Sequence, residues 1–93
     1  MVSYEKKLPI GSVVLLKGAD RRLMIIGYLR MLNATGDRVY DYSACSFPEG
    51  ITDPDQIYVF DHEDIERLIY VGFQNQEQLD FSDRLQDVLD GKI

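Results

Sequence analysis

The chain has 93 residues, a length that suits one compact domain and is too short for two. Apolar residues make up 45% of it and aromatic residues 11%, which is the composition of a folded protein and excludes a disordered tail. The formal net charge of −6 argues against general nucleic-acid binding, since phosphate contacts need a positive surface. We therefore predict a single domain over residues 1–93.

Charge is distributed unevenly along the chain. Residues 1–40 carry seven basic and three acidic side chains, whereas residues 41–93 carry three basic and thirteen acidic ones. The basic side chains of the first half form either a local binding patch or ordinary solvated loop charges, and the second interpretation is the simpler one. These side chains are Lys6, Lys7, Lys17, Arg21 and Arg22.

The cysteine count and the hydropathy pattern indicate the cellular compartment. A single cysteine excludes an internal disulfide, and one unpaired thiol is typical of a reducing compartment. No run of about 18 apolar residues is present, so we expect no membrane span. The N-terminal stretch has no long apolar segment after its lysines and does not resemble a signal peptide. A cytoplasmic protein is predicted.

The first two predicted strands form a hairpin. A run rich in β-branched residues predicts a strand at 12–17, and a second run predicts another at 22–32. Gly18 lies in the turn between them, where its freedom to adopt positive φ is useful. Gly27, in the middle of the second run, indicates a bulge or a bend.

A third strand is predicted at 38–47, and it runs into a turn. Phe47-Pro48-Glu49-Gly50 has the residues of a type I turn, with proline second and glycine fourth. Strand alternation places every second side chain on the same face. One face therefore holds Tyr40, Tyr42 and Ala44, and the other holds Val39, Asp41, Ser43, Cys45 and Phe47, with Cys45 predicted to point inward beside Phe47.

Two more strands complete the predicted sheet, at 57–60 and 66–72. Between them, Asp61 is placed to cap one helical turn, with Asp64 three residues further on. Short runs joined by tight turns predict a mainly β, α+β fold: a small, strongly bent antiparallel barrel of about five strands, similar to Src-homology-3 domains, over residues 8–73.

The tail of the chain changes to a helical period, which predicts an amphipathic helix at 75–90 capped by Asn75 or Asp80. A helix this short needs something to pack on. Packing on its own barrel is the simpler interpretation, and docking of a partner helix is the alternative. The apolar positions are Phe81, Leu85, Val88 and Leu89.

Cys45 and His62, the only cysteine and the only histidine, are the obvious candidates for nucleophilic catalysis. A reactive thiol needs a nearby cation or a helix N-terminus. Cys45 instead comes late in a strand, and its nearest charges in sequence, Asp41 and Glu49, disfavour a thiolate. Inert packing is the better interpretation, because free cysteine is among the most buried residue types. The sequence leaves open whether the two side chains meet.

The other chemistry-bearing patterns are incomplete. His62 lies among acids without a second His or Cys at ligand spacing, and Asp53 and Asp55 lack the remaining ligands of a calcium loop. The chain has no glycine-rich phosphate loop, and its acids lie in polar runs rather than in an apparent cleft. We therefore predict no catalytic residue, no metal site and no cofactor.

Several segments together resemble one bacterial family. The order LPIGSVVLLKG, LMIIG, YDYSACSFPEG, FDHEDI and IYVGF is similar to the family called domain of unknown function 4176, over about residues 8–73. The family pattern has glycine before the cysteine and tyrosine before Pro-Glu-Gly, where this chain has Ala44 and Phe47. Both replacements keep the size class of the residue.

The resemblance implies an accessory role. Members of the family are often encoded beside type VII secretion genes and LXG-domain toxins of Gram-positive bacteria. This context implies a non-enzymatic cytosolic adaptor or chaperone for a toxin or another secretion substrate, with an immunity protein that neutralises a toxin as the alternative. The family has no established catalytic residues to carry over.

Three further hypotheses follow from the residues themselves: an enzyme that uses Cys45 and His62, a nucleic-acid-binding barrel that uses the basic residues of the first half, and a homo-oligomer. The protein-binding hypothesis is preferred, and the partner is expected at the exposed turn or on the tail helix. The predicted contact residues are Pro48, Glu49 and Gly50 in the turn, and Phe81, Leu85 and Leu89 in the helix.

Overall fold

The computed structural model describes residues 7–31 and 39–89. Its strands are Val13–Leu16 (β1), Arg22–Met31 (β2), Val39–Ser46 (β3), Tyr58–Phe60 (β4) and Ile65–Tyr70 (β5). A 3-10 turn at His62–Asp64 joins β4 to β5, and one helix, Gln76–Leu89 (α1), follows the last strand. The strands form one antiparallel sheet in the order β4-β3-β2-β1-β5.

The predicted mainly β fold with a C-terminal helix is confirmed. All five strands are present, with ends within two residues of the predicted ones. The first strand pairs with both β2 and the last strand, as in a small barrel, but β4 and β5 are the two edges of the sheet. Among the described residues the barrel is therefore open between β4 and β5.

The turn and the bulge predicted from glycines are also confirmed. Gly18 has a φ of 76° in the β1–β2 turn, where Ala19 N–H donates to Leu16 O over 3.1 Å. In β2 the pairing with β3 shifts by one residue between Ile25 and Gly27. A side chain at Gly27 would place its Cβ 2.6 Å from Ser43 Oγ, so any larger residue at this bulge would require the buried Ser43 side chain to shift.

The type I turn predicted at Phe47–Gly50 is wrong, although the chain does reverse there. A type I turn would join Gly50 N–H to Phe47 O, whereas Gly50 N–H donates to Ser46 O over 2.8 Å. The Phe47–Pro48 peptide bond is cis, and Gly50 has a φ of 79°. The hydrogen bond from Gly50 to Ser46 closes a reversal of five residues, 46–50, instead of the predicted four.

The capped turn between β4 and β5 forms as predicted. Asp61 N–H donates to the Asp64 carboxylate over 2.9 Å, and Asp64 N–H donates to Asp61 O over the same distance. Acidic side chains stabilise the positive end of a helical turn, which explains why the local sequence is so acidic. The turn carries His62 to the side of the sheet that holds the core.

The hydrophobic core lies on one side of the sheet, here called the inner side. Tyr42 and Ala44 of β3 point into it, as strand alternation predicts, and their neighbours in sequence point to the other side. Burial of each large aliphatic side chain here contributes about 2 kcal/mol. The core cluster consists of Leu8, Val14, Leu23, Ile25, Tyr42, Ala44, Phe60 and Ile65.

Helix α1 begins at the cap provided by Asn75, whose Oδ1 accepts from Gln78 N–H over 2.9 Å. One helix face turns inward, with Ser82 and Leu85 buried, and the Phe81 ring lies 5.9 Å from the Tyr28 ring of β2. The helix thus packs on its own sheet. Within the residues that the structure describes, no helix has the length and apolarity needed to cross a bilayer.

Candidate functional site

Cys45 and His62 lie on opposite sides of β3. The Cys45 thiol is free and buried, opposite Met24 of β2, and it belongs to the strand face that points away from the core. His62 Nδ1 lies 2.7 Å from the hydroxyl of Tyr42, whose side chain is in the core. Successive side chains of a strand point to opposite faces, so this geometry does not bring thiol and imidazole together.

The Tyr42 hydroxyl ties three segments of the chain together. It accepts a hydrogen bond from Leu8 N–H over 3.0 Å and shares one with His62 Nδ1. Leu8 O in turn accepts from the Tyr28 hydroxyl over 2.5 Å. Tyr42 and Leu8 are both fully buried, so these bonds satisfy polar groups that water does not reach.

Asp41 extends this network to the surface. Its carboxylate accepts from His62 N–H over 2.9 Å and lies 3.3 Å from Lys7 Nζ, while its own N–H donates to Asp61 Oδ1 over 3.1 Å. The network therefore fixes the segment before β1 against β3 and the 3-10 turn. Its polar groups are used to hold the fold, and we interpret it as structural.

The acids singled out in the sequence also have local structural roles. Asp53 Oδ1 accepts from Asp55 N–H over 3.0 Å, which closes a turn in the loop before β4. Across residues 7–31 and 39–89, no three or more His, Cys, Asp or Glu side chains are grouped as metal ligands.

Two grooves lie on either side of a close backbone crossing. The segment before β1 crosses the segment after β5 at Gly11 and Gly72, and Gly72 N–H donates to the buried Ser12 Oγ over 2.9 Å. A Cβ at Gly72 would lie 2.2 Å from the Ile10 carbonyl oxygen, so this approach requires glycine. Ile10 lines one groove and Gly11 lines the other.

The first groove, here called the sheet groove, lies on the outer face of the sheet. Its volume is about 510 Å³ and its lining is almost entirely apolar, with Arg22 as the one charged residue among the described residues that line it. Phe47 and Tyr70 are 42% and 64% exposed at its two sides. The lining residues are Gly11, Val13, Arg22, Met24, Phe47, Ile69 and Tyr70.

A β-bulge explains why two successive residues of β5 line the sheet groove. Val13 pairs with Tyr70 and Val14 pairs with Leu68, so Ile69 has no partner of its own in the β1–β5 ladder. At such a bulge, two residues of one strand oppose one residue of the other. Ile69 and Tyr70 consequently both reach the groove instead of pointing to opposite faces.

The second groove, here called the helix groove, lies between α1 and the segment before β1. It is larger, about 900 Å³, and more polar, because the first turns of the helix contribute charged side chains. Phe73 is 76% exposed at its edge. The lining residues are Ile10, Tyr28, Phe73, Asn75, Glu77, Gln78, Asp80, Phe81 and Arg84.

The predicted contact residues fall in different surroundings. Pro48 and Glu49 are exposed, Gly50 is half-buried, and Glu49 forms an ion pair with Arg21 of the β1–β2 turn. In the helix, Phe81 is half-exposed in the helix groove, whereas Leu85 is only 8% exposed and packs inward. The side chain of Leu89 lies outside the described part of the chain, as does Lys6 of the predicted basic patch.

The residues that form the sheet groove are not among those predicted from the sequence. Phe47 lies on the same side of the sheet as Cys45, as strand alternation predicts, but it is exposed in the sheet groove instead of buried beside Cys45. Ile69 and Tyr70 looked like ordinary positions of a strand. The available signal was the consecutive apolar pair at the end of β5, which breaks the alternation expected of a half-buried strand.

The chain was also compared with known proteins. Residues 7–81 match the family described as Domain of unknown function (DUF4176), and the match covers more than half of the chain. The chain belongs to this family. No curated protein and no solved structure is significantly similar to it.

The DUF4176 match covers the residues of the sheet groove and most of those of the helix groove. It includes all five strands and every residue that lines the sheet groove, and it ends at Phe81 in the first half of α1. The description of the DUF4176 family names no activity, so it leaves function to be argued from the surface of the molecule.

Proposed function

We propose that this DUF4176 protein is a non-catalytic protein-binding accessory module and that the sheet groove is its docking surface. The observation that carries the proposal is the exposure of Phe47, Ile69 and Tyr70 around a groove with an almost wholly apolar lining. Grouped apolar side chains left in water cost free energy, and such patches typically mark interaction sites. The groove also adjoins the turn at Pro48 and Glu49 where the sequence predicts a partner.

A non-catalytic role is supported by how the reactive side chains are used. The Cys45 thiol is buried on one side of β3, and on the other side the His62 imidazole shares a hydrogen bond with the Tyr42 hydroxyl. Asp41 accepts from the backbone N–H of His62 and not from its ring. A nucleophile needs a base within hydrogen-bond reach. These two side chains do not meet that requirement.

The family resemblance suggests what the partner is. We propose a cytoplasmic adaptor or chaperone for a type VII-secreted LXG toxin or another secretion substrate. An accessory protein of this kind binds an immature or export-competent partner, and an apolar docking surface suits that task. An immunity protein would use the same surface to block a toxin's activity, so the two roles differ in outcome rather than in mode of binding.

The test is co-purification of the tagged protein with the products of the genes adjacent to its own. We expect one of these products to bind, and the double variant Phe47→Ser/Tyr70→Ser to lose that binding while its melting temperature changes little. The matched control is Tyr58→Ser/Val88→Ser, which removes two similarly exposed apolar side chains outside the groove. Equal binding by both double variants would refute the groove as the docking surface.

A second measurement separates the two roles. Co-expression with the bound partner in one cell should raise the partner's level or its export if the protein is a chaperone. Neutralisation of the partner's toxicity, without a change in its level or export, would instead show an immunity protein.

A further inference from the structure

The sheet groove continues into a charged row of side chains on the same outer face. Across β5, β1, β2 and β3, one row consists of Tyr70, Val13, Met24 and Cys45. Two residues after Val13 in β1, Leu15 pairs with Arg22 of β2 on one side and with Arg67 of β5 on the other. Neighbouring strands are about 4.8 Å apart, so the two arginines stand about 10 Å apart with an apolar residue between them.

Arg22 and Phe47 are held next to each other by the backbone. Phe47 N–H donates to Arg22 O over 3.0 Å, which continues the β2–β3 ladder beyond the last residue of β3. The aromatic wall of the groove and the first arginine are therefore parts of one fixed surface. The second arginine, Arg67, precedes Ile69 and Tyr70 in β5, the strand that forms the opposite wall.

Neither guanidinium group is paired with an acid from the described part of the chain. Arg22 and Arg67 are both exposed, and within residues 7–31 and 39–89 neither forms an ion pair. The adjacent Arg21, by contrast, is paired with Glu49. On a protein with a net charge of −6, two arginines without an ion pair in the described part of the chain thus lie near the apolar groove, and Glu66 is the acid next to Arg67 in β5.

We propose that the sheet groove binds a linear segment of a partner protein in which apolar side chains are followed by acidic residues. The apolar side chains fill the space between Phe47 and Tyr70, and the carboxylates meet Arg22 and Arg67. Arginine suits this task because its planar fork binds a carboxylate through two parallel hydrogen bonds. This inference rests on the proposed function and specifies the chemistry of its partner.

Charge complementarity selects this occupant. The protein's overall negative charge repels nucleic acids and acidic partners at long range. An acidic segment therefore binds only if it also carries apolar side chains, whose burial in the groove supplies the binding free energy. A basic segment would be attracted to the molecule as a whole but would face the two arginines when it docked. Arg22 and Arg67 therefore determine which segments bind, because charged groups at the rim of an interface contribute mainly to specificity.

The test uses fluorescently labelled synthetic peptides and the full chain, with fluorescence anisotropy as the measurement. Three peptides share one pattern of leucine and phenylalanine and differ only in a flanking pair: two aspartates, two asparagines or two lysines. We expect the aspartate peptide to bind at least about tenfold more tightly than the lysine peptide, and this preference to shrink as salt is raised. In the variant Arg22→Glu/Arg67→Glu the preference should reverse.

A control variant separates the local effect from the change in net charge. Arg84→Glu adds negative charge on α1, away from the sheet groove, and should leave the peptide preference within about twofold of wild type. The single variant Arg22→Glu should lose most of the preference. Circular dichroism melting of each variant checks that the fold is intact.

The outcomes distinguish failure of this inference from failure of the proposed function. Equal affinity for all three peptides, or no binding of any, overturns the acidic-segment proposal, while the adjacent gene product still binds through Phe47 and Tyr70 if the proposed function holds. Light scattering that shows a dimer broken by Phe47→Ser/Tyr70→Ser overturns it in favour of a second copy. Binding of single-stranded RNA that is lost in Arg22→Glu/Arg67→Glu overturns it in favour of nucleic acid.

Discussion

Replacing Tyr42 by phenylalanine should destabilise the protein without changing the volume of its core. The substitution removes one oxygen, which accepts from Leu8 N–H and is bonded to His62 Nδ1. Leu8 is fully buried, so its N–H finds no water as a replacement acceptor. Leaving a buried donor unsatisfied costs about 1–3 kcal/mol, and the lost bond to His62 adds about 1 kcal/mol.

The expected loss for Tyr42→Phe is therefore about 2–4 kcal/mol of unfolding free energy. For a domain of this size, that corresponds to a fall of about 10–20 °C in melting temperature. Small domains have about 5–15 kcal/mol in total, so the variant should still fold at low temperature. Urea unfolding followed by circular dichroism measures the loss directly, since the chain has no tryptophan to serve as a fluorescent probe.

The matched control is Tyr58→Phe on the edge strand β4, where the side chain is partly exposed. It removes the same atom and should change stability by less than about 0.5 kcal/mol. A Tyr42→Phe variant that also stays within about 0.5 kcal/mol of wild type would refute the reasoning. It would mean that the Tyr42 hydroxyl does not hold the segment before β1 in place.

Three other predictions concern the backbone crossing, the helix and the thiol. Gly72→Ala should cost about 3 kcal/mol, because the new Cβ meets the Ile10 carbonyl, whereas Gly18→Ala, at positive φ in open space, should cost about 1 kcal/mol in the same urea assay. Leu85→Ala should cost about 2–4 kcal/mol and the half-exposed Val88→Ala less than about 1 kcal/mol; equal losses would contradict the inward orientation of Leu85. The buried Cys45 should react with a thiol reagent far more slowly in the folded protein than in denaturant, and similar rates would show that it is accessible.

The sheet was predictable because its signals are local. Runs of β-branched residues set the strands, Gly18 set the hairpin, and Gly27 marked the bulge. Asp61 and Asp64 define a capped turn within four residues of sequence. Each of these features depends on residues that are neighbours in the chain, and the structure has them where the sequence places them.

The surface of the molecule was less predictable because it is assembled from distant segments. The sheet groove combines residues of β1 and β2 with Phe47 and with Ile69 and Tyr70. The bond between Leu8 and Tyr42 joins positions 34 apart. Such contacts depend on the register between strands that are far apart in the sequence but adjacent in the sheet. A one-residue bulge in β5 is enough to change which side chains share a face.

The pairing of β1 with β5 also has a consequence for the order in which the molecule is made. Val13 pairs with Tyr70, 57 positions later in the chain, so an incomplete chain leaves one edge of β1 open. Open edges of apolar strands are prone to aggregation, and the entropy cost of loop closure makes contacts this distant slow to form. Until β5 docks, the wall made by Ile69 and Tyr70 does not exist. A partner that binds the sheet groove therefore binds only the fully folded chain, because a truncated or partly folded chain lacks the groove.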